Sequence, residues 1–344
     1  MDEPVFQDFG DRAAAQMAIG LNAVLAVIED GKPKVLCVHG KNNAISLPYG
    51  RFDPDQHRTF EIGLREWVER QTSISLGYIE QLYTFGDMGR EAPAAALVDG
   101  DASDRIISIG YLALAPEPAE VNTQNAQWRD WYHFFPWEDW RRGEPKVLSQ
   151  FILPKLDAWA STAHDEPVVL SRRARIRLAF GYGEDGWEEE RALDRFELMY
   201  EAGLVREAHR DRGEKISQQD ETLFAATGRH MSSDHRRILA TAIGRLRGKL
   251  KYRPIIFRLT APQFTLLTLQ KAVEATVGFE FHKQNFRRNV ENAGFVERTQ
   301  ETTKQASGRP AALFRASDAV RRDRATTGLT IPRLRQQPAF FEKT

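Results

Sequence analysis

The 344-residue sequence predicts an α+β protein in three parts and a tail. A mixed sheet-and-helix unit spans 1–145, a mainly helical insertion and linker 146–250, and a small unit 251–320, with a basic tail at 321–344. Three observations carry this reading. Two apolar runs, "IGLNAVLAVIED" and "PKVLCVHG", flank the turn signal Asp30-Gly31-Lys32-Pro33, the pattern of a hairpin of buried strands. A charged segment with apolar residues at helical spacing follows, and a short helix pair ahead of two strand-like runs lies near the C-terminus. The length also exceeds one ordinary domain of roughly 100–200 residues.

Composition narrows the class. Hydrophobic content of 42% and charged content of 28% are those of a globular protein with enough apolar surface for real cores. The single cysteine, Cys37, excludes a disulfide framework or a Cys-based zinc site within one chain and fits a reducing cytoplasm. "MDEPVFQDFG" lacks a basic-then-apolar signal pattern, and no run approaches the about 18 apolar residues of a membrane span. Neither export nor a membrane anchor is expected. The zero net charge hides an asymmetry: residues 251–344 hold 17 Lys and Arg against 8 Asp and Glu, leaving 31 against 40 for the rest. A polyanion partner for the last third follows, or a basic segment that only solvates the chain.

In the first unit, strands are expected at 18–29 and 33–39, then at 78–85 and 105–115, the last being "RIISIGYLALA". Between them, after "LPYG", Phe60, Leu64 and Trp67 form the apolar stripe of a helix that Asp55 caps, with Gln71 continuing the spacing. Arg65, Glu66, Glu69 and Arg70 make its charged face.

A strand, "LPYG" and a helix containing "REWVER" resemble the Nudix fold, and the resemblance implies an α/β/α sandwich. Family enzymes place a Gly and a Glu ahead of Arg-Glu, an apolar residue, any residue, Glu-Glu, any residue and Gly; their carboxylates hold Mg²⁺ or Mn²⁺ on a pyrophosphate. Arg65, Glu66, Trp67 and Glu69 match, but Arg70 replaces the second Glu of the pair, His57 the first Glu, Thr72 the last Gly and Arg51 the first Gly, with Gly50 one position early. Residues 66, 69 and 70 share one helix face, so a guanidinium there removes a ligand and repels a cation. No catalytic or metal-ligating residue is therefore assigned. Arg70 pairs more readily with Glu66 or with a ligand phosphate.

"QLYTFGDMGREAPAAALVDGDASDRIISIGYLALA", Gln81 to Ala115, is similar to a run of the Nudix-related transcriptional regulators of NAD metabolism (NrtR-like). That family receives ADP-ribose or a related nucleotide here and at the Nudix helix. The resemblance assigns Arg51, Phe52, Arg65, Glu66, Glu69, Arg70 and Arg90 to an adenine-nucleotide effector such as NAD, ATP or ADP-ribose, with no cofactor required. Tyr83 and Phe85 also read as ordinary strand alternation, whereas Arg90, a planar double donor in a polar loop, suits phosphate or ribose.

In the middle, Trp128, Trp131, Trp137 and Trp140 read as buried anchors or as a stacking surface for a nucleotide. "VLSQFILPKLDAWAS" is helical, and a second helix has the stripe Leu193, Phe196, Met199 and Tyr200. The segment is similar to an insertion of the longer alphaproteobacterial NAD regulators, the NadQ group. Residues 205–225 read as a polar connector. A helix then starts at the cap Ser233 with the stripe Leu239, Ala242, Leu246 and Leu250, packing on a neighbour or on its twin in a dimer.

In the last unit Thr265 caps a helix with Leu266, Leu269, Val273 and Val277 at helical spacing, and Gly278 ends it. A second helix, Lys283 to Ala293, points Phe286, Val290 and Ala293 inward. Strands at 294–300 and 310–316 around "ETTKQASGRP" complete the layout of a winged helix-turn-helix. Outward Lys283, Gln284, Asn285, Arg287, Arg288 and Asn292, with Thr265 and the wing's Lys304 and Arg309, are the candidate DNA contacts: cations displace counterions from phosphates, and Arg, Asn and Gln read base edges. "FTLLTLQKAVEATVG", "KQNFRRNV" and "GRPAALFR" resemble the same regulators' C-terminal pattern. The tail's arginines add non-specific DNA affinity.

The expected protein is thus a regulator, a repressor of NAD biosynthesis genes, that binds double-stranded operator DNA as a homodimer. The alternatives are a Nudix hydrolase of ADP-ribose or NAD-like pyrophosphates and an interaction protein whose winged domain binds protein.

Overall fold

The structure is a computed structural model that describes residues 17–40, 44–87, 89–90, 105–121, 125–181, 186–303 and 310–321. Strand β1 (Met17–Glu29) is its spine, apolar and buried almost without interruption, as a strand covered on both faces must be. It turns into β2 (Lys32–His39) through Asp30 and Gly31, at φ 51° and 69°. Two successive left-handed residues suit the twist of a tight hairpin, and Asp-Gly tolerates them. The register sets Glu29 opposite Lys32. Strand β3 (Ile45–Ser46) follows and pairs with β2; β4 (Tyr49–Arg51) runs antiparallel to the start of β1. β5 (Tyr78–Phe85), β6 (Arg105–Leu114) and β7 (Ala126–Asp130) complete a seven-stranded mixed sheet in which β6 is parallel to β1 and β5 forms an edge.

The sheet has a different cover on each face. Leu21, Ala23 and Leu25 of β1 pack with Leu64 and Val68 of α1 (Phe60–Thr72). Thr59 caps this helix by accepting the Ile62 N–H at 3.2 Å, in place of the expected Asp55, which lies a full turn too early. The buried stripe is Gly63, Leu64, Val68 and Thr72; Phe60 and Trp67 are only half-buried. Val24 and Ala26 point to the other face.

Between the sheet and the last helix of the middle segment lie α2 (Leu153–Ser161), α3 (Glu166–Phe180), α4 (Ala192–Glu201), α5 (Arg206–Asp211) and α6 (Gln218–Ala226). The expected polar connector at 205–225 is therefore largely helical. Its two helices are short and bury few residues each, so no apolar period marks them, but Ser217 and Asp220 form a capping box. In α4, Phe196 and Met199 are buried as expected, while Leu193 and Tyr200 are half-buried and Arg195 is enclosed instead.

Helix α7 (His235–Tyr252) covers the second face of the sheet, so the outer layer of the α/β/α sandwich comes from beyond residue 145. Its cap position is Asp234, not Ser233, which sits at φ 49°. Leu239, Ala242, Leu246 and Leu250 are all buried against the sheet, α4 and the C-terminal unit of the same chain. Gly110 permits this approach: a Cβ there would lie 3.0 Å from Ile238 Cγ2. Trp131, Trp137 and Trp140 are buried anchors in the same core, whereas Trp128 is half-buried and donates to Ala119 O.

The C-terminal unit has α8 (Leu266–Val277), α9 (Lys283–Asn292), β8 (Val296–Thr302), β9 (Ala312–Ala316) and the short α10 (Asp318–Arg321). Thr265 caps α8 through the Thr268 N–H at 3.0 Å, and Gly278 ends it at φ 94°. Phe286 and Val290 hold α9 inward; Ala293, expected beside them, is exposed because the helix has already ended there. β8 and β9 pair antiparallel as the wing, extended by a bridge between Phe264 and Phe314.

Candidate nucleotide and nucleic-acid sites

The face of α1 near β4 gathers most of the expected ligand residues. Gly50 in β4 lets the Trp67 ring lie on the strand, where a Cβ would come within 2.0 Å of it, and Trp67 Nε1 donates to Arg51 O at 2.7 Å. Phe52 stacks edge-on with Phe60 at 4.6 Å and tilts toward His57 at 5.7 Å. His57 is buried; its Nδ1 accepts the Asp53 N–H at 3.0 Å and its Nε2 lies 3.3 Å from Glu66 Oε2. Arg70 takes the other oxygen of Glu66 and lies over Trp67 at 4.7 Å. The residues at two family carboxylate positions, His57 and Arg70, thus occupy both oxygens of the Glu66 carboxylate.

This arrangement favours anions over cations. Each Glu66 oxygen already meets a donor, and the exposed Glu69 carboxylate has no hydrogen bond or ion pair among the described residues. Among those residues no group of three His, Cys, Asp or Glu side chains is placed to hold a metal ion. The Arg70 pair is solvent-exposed and worth little, so a phosphate can exchange for Glu66 at small cost.

Two expected ligand residues lie elsewhere. Arg65 turns away and fastens α1 to the following loop, donating to Glu61 at 2.8 Å, Leu76 O and Gly77 O. Arg90 binds Glu197 of α4 through two bonds of 2.9 and 3.1 Å, lies 3.3 Å from Asp234 and stacks 3.7 Å over Tyr200. Arg237 joins the group through Glu197, Asp234 and Asp87. Burial pushes the Asp234 carboxyl up to about 6 despite the two arginines beside it. Arg90 therefore ties the loop after β5 to α4 and α7, a role no local spacing announces because its partners lie over a hundred residues away.

On α9, Lys283, Gln284, Asn285, Arg287, Arg288 and Asn292 are all exposed, and among the described residues none of its three cations has an ion-pair partner. Exposed Asn289 extends this face and was not singled out from the sequence. Glu291, on the last turn, is its only acid. The Thr265 hydroxyl is engaged at the α8 cap. Lys304, Arg309 and the tail beyond Arg321 lie outside the described residues.

A buried network ties α7 to the end of α8, the helix before α9. Glu138, between β7 and the middle helices, accepts from Arg195 at 2.6 and 3.0 Å and from Arg247 of α7, all fully buried. Burial raises its carboxyl, but the two guanidinium groups outweigh that and hold it below the usual range. Arg247 Nε also donates to Thr276 O at 2.9 Å and Tyr132 Oη to Ala275 O at 2.8 Å, closing the carbonyl end of α8, where cations and donors are favoured.

The class defined by this fold is a Nudix-type sandwich joined to a winged helix. Residues 256–316 match the family described as the NrtR DNA-binding winged helix domain. The "ADPR responsive transcriptional repressor NtrR" of Acinetobacter baylyi is 37% identical over 94 residues, 27% of this chain and 37% of that protein. The chain thus matches little more than a third of that relative's length. Crystal structures of Shewanella oneidensis NrtR, with a 27mer DNA and without, superpose with a TM-score of 0.51 at 18% identity, over 92% of this chain and 99% of theirs. The chain is NrtR-like in fold, with the same two modules in the same order.

Proposed function

We infer that the protein is a DNA-binding transcriptional regulator, a repressor of NAD biosynthesis genes, whose Nudix-like domain senses an adenine nucleotide. The observation that carries this is the outward face of α9, where exposed cations and amides lie on a helix held by Phe286 and Val290. Such a face suits the major groove, with the wing toward the backbone. The match of residues 256–316 to a DNA-binding winged helix family supports it. A homodimer on a palindromic operator, membership of the longer NadQ group and a role for the tail in DNA affinity belong to the same proposal.

For the effector, ADP-ribose comes first, because the Acinetobacter relative is described as ADPR responsive; NAD and ATP share the adenylate and phosphates. Arg51, Phe52 and Arg70 are the proposed contacts, with Glu66 released when a phosphate replaces it. Hydrolysis is not expected of a helix whose Glu66 is held by His57 and Arg70.

A mobility shift with DNA upstream of NAD synthesis genes tests the first half. Arg287→Ala and Arg288→Ala should each weaken binding by about 1–3 kcal/mol if they read a base, or lower the salt dependence by about one phosphate if they hold the backbone. Binding unchanged in both sinks the α9 assignment. Calorimetric titration with ADP-ribose, NAD and ATP ranks the effectors, and steady turnover of any of them with Mg²⁺ or Mn²⁺ would defeat the sensor reading.

A further inference from the structure

A cleft of about 430 Å³ opens where the sheet, the end of α7 and the winged unit meet. Its size falls in the roughly 300–1,000 Å³ range of small-molecule pockets. It is separate from the α1 face: among the described residues Tyr78, on the edge strand β5, is its only one from the seven-stranded sheet, and the rest come from α7, the loop leading to α8, β9 and α10.

The lining is basic on every side. Lys249, Arg253, Arg258, Arg315 and Arg321 contribute, and no Asp or Glu does. Lys249, Arg315 and Arg321 are steadied by Glu80, Glu297 and Asp318, which stand outside the lining. Arg258 meets only the Tyr78 ring, 5.7 Å away, and has no ion-pair partner among the described residues. With no carboxylate in the lining, the cleft holds a local surplus of positive charge around Arg258 that an anion would offset.

A second observation points inward. Thr260 is 6% exposed, lines the cleft, and its Oγ1 is buried with no hydrogen-bond partner. An orphaned buried hydroxyl costs about 1–3 kcal/mol, so such a group calls for a partner. Phe257 and Phe264, tilted at 34° with centroids 5.6 Å apart, add an apolar wall.

We propose that this cleft is a second effector site, which takes a nucleoside polyphosphate or a similarly phosphorylated ring compound. The phosphates meet Arg258, Arg253 and Lys249, the Thr260 hydroxyl donates to a ligand oxygen, and the ring lies against Phe257. Because the lining joins β5 to β9 and α10, occupancy fixes the wing against the sensor body and so alters its fit to DNA. A ligand shifts such an equilibrium only by its differential affinity for the two placements.

The test uses the full chain, titrated calorimetrically with ATP, with inorganic triphosphate and with adenosine. ATP should bind saturably, triphosphate more weakly and adenosine weakest. Arg258→Ala should weaken ATP at this site at least tenfold, and Arg321→Ala, at the exposed rim, severalfold. If the α1 face also takes ATP, two molecules bind per chain, Arg258→Ala removes one and Arg70→Ala the other, so the two sites fail independently. Thr260→Val separates a ligand role from a structural one: it should leave the melting temperature unchanged or raise it while weakening ATP severalfold. A lowered melting temperature with ATP affinity intact shows that the hydroxyl serves the fold and overturns the proposal. Absence of saturable ATP or triphosphate binding, with DNA affinity lost in Arg258→Ala, overturns it too and gives the cleft to the DNA backbone.

Discussion

At the scale of single residues, burial sets titration behaviour. His235 is buried and its Nδ1 accepts the Leu47 N–H at 2.8 Å. Burial drives its pKa from 6.5 down to about 3, so the folded protein keeps the ring neutral. The unfolded chain takes up a proton below about 6.5, so this contribution to stability is present above that pH and is lost as pH falls toward 3. Thermal melts should show a loss approaching 1.4 kcal/mol per pH unit across that window from this group. His235→Asn retains an acceptor but cannot titrate, and should flatten that part of the profile; an unchanged slope would assign the acid sensitivity elsewhere. Neighbouring Asp234 works in the opposite sense. Its raised pKa of about 6 favours the folded state on acidification, with the gain present below about 3.8 and lost as pH rises through 6.

At the scale of elements, α1 shows how far local signals reach. Helical periodicity and the Arg65 to Arg70 charge pattern located it, while its cap and buried stripe each moved by a few positions. Two local rules conflict here: Trp67 reads as core but lies at the β4 edge, because Gly50 leaves a flat seat for its ring. Gly50→Ala would drive a Cβ into that ring and should cost about 1–3 kcal/mol or more, seen as a lowered denaturant midpoint with an unchanged slope. Thr59→Ala should cost about 1 kcal/mol through loss of the cap, whereas Asp55→Ala should cost nothing measurable. Helices α5 and α6 were hidden for the converse reason. Tertiary contacts hold both, with a capping box at α6 alone, rather than an apolar period.

At the scale of the whole molecule, one apolar cluster runs from the sheet through the middle helices into α8 and α9, and the Glu138 network crosses it. Removing one partner of a buried ion group leaves uncompensated charge, so Glu138→Ala should destabilise by about 3–5 kcal/mol. Tryptophan fluorescence and far-ultraviolet dichroism should lose their signals together on heating, as a shared core requires. Separate transitions for the sandwich and the winged unit would show that the network is not a structural joint.

The sequence by itself determined the mixed architecture, the two β1 and β2 strands with their Asp-Gly turn, the degenerate α1 motif and the acid-poor outward face of α9. Each of these is written in residues close along the chain, where spacing alone dictates which side chains share a face. Only the tertiary structure decided that α7 is the outer layer of the sandwich, that Arg90 is bound to Glu197 and that five cations meet Thr260 in one cleft. The first two depend on pairs separated by over a hundred residues and the third on residues from separate elements, and local periodicity carries no information about which distant surface will cover a given face.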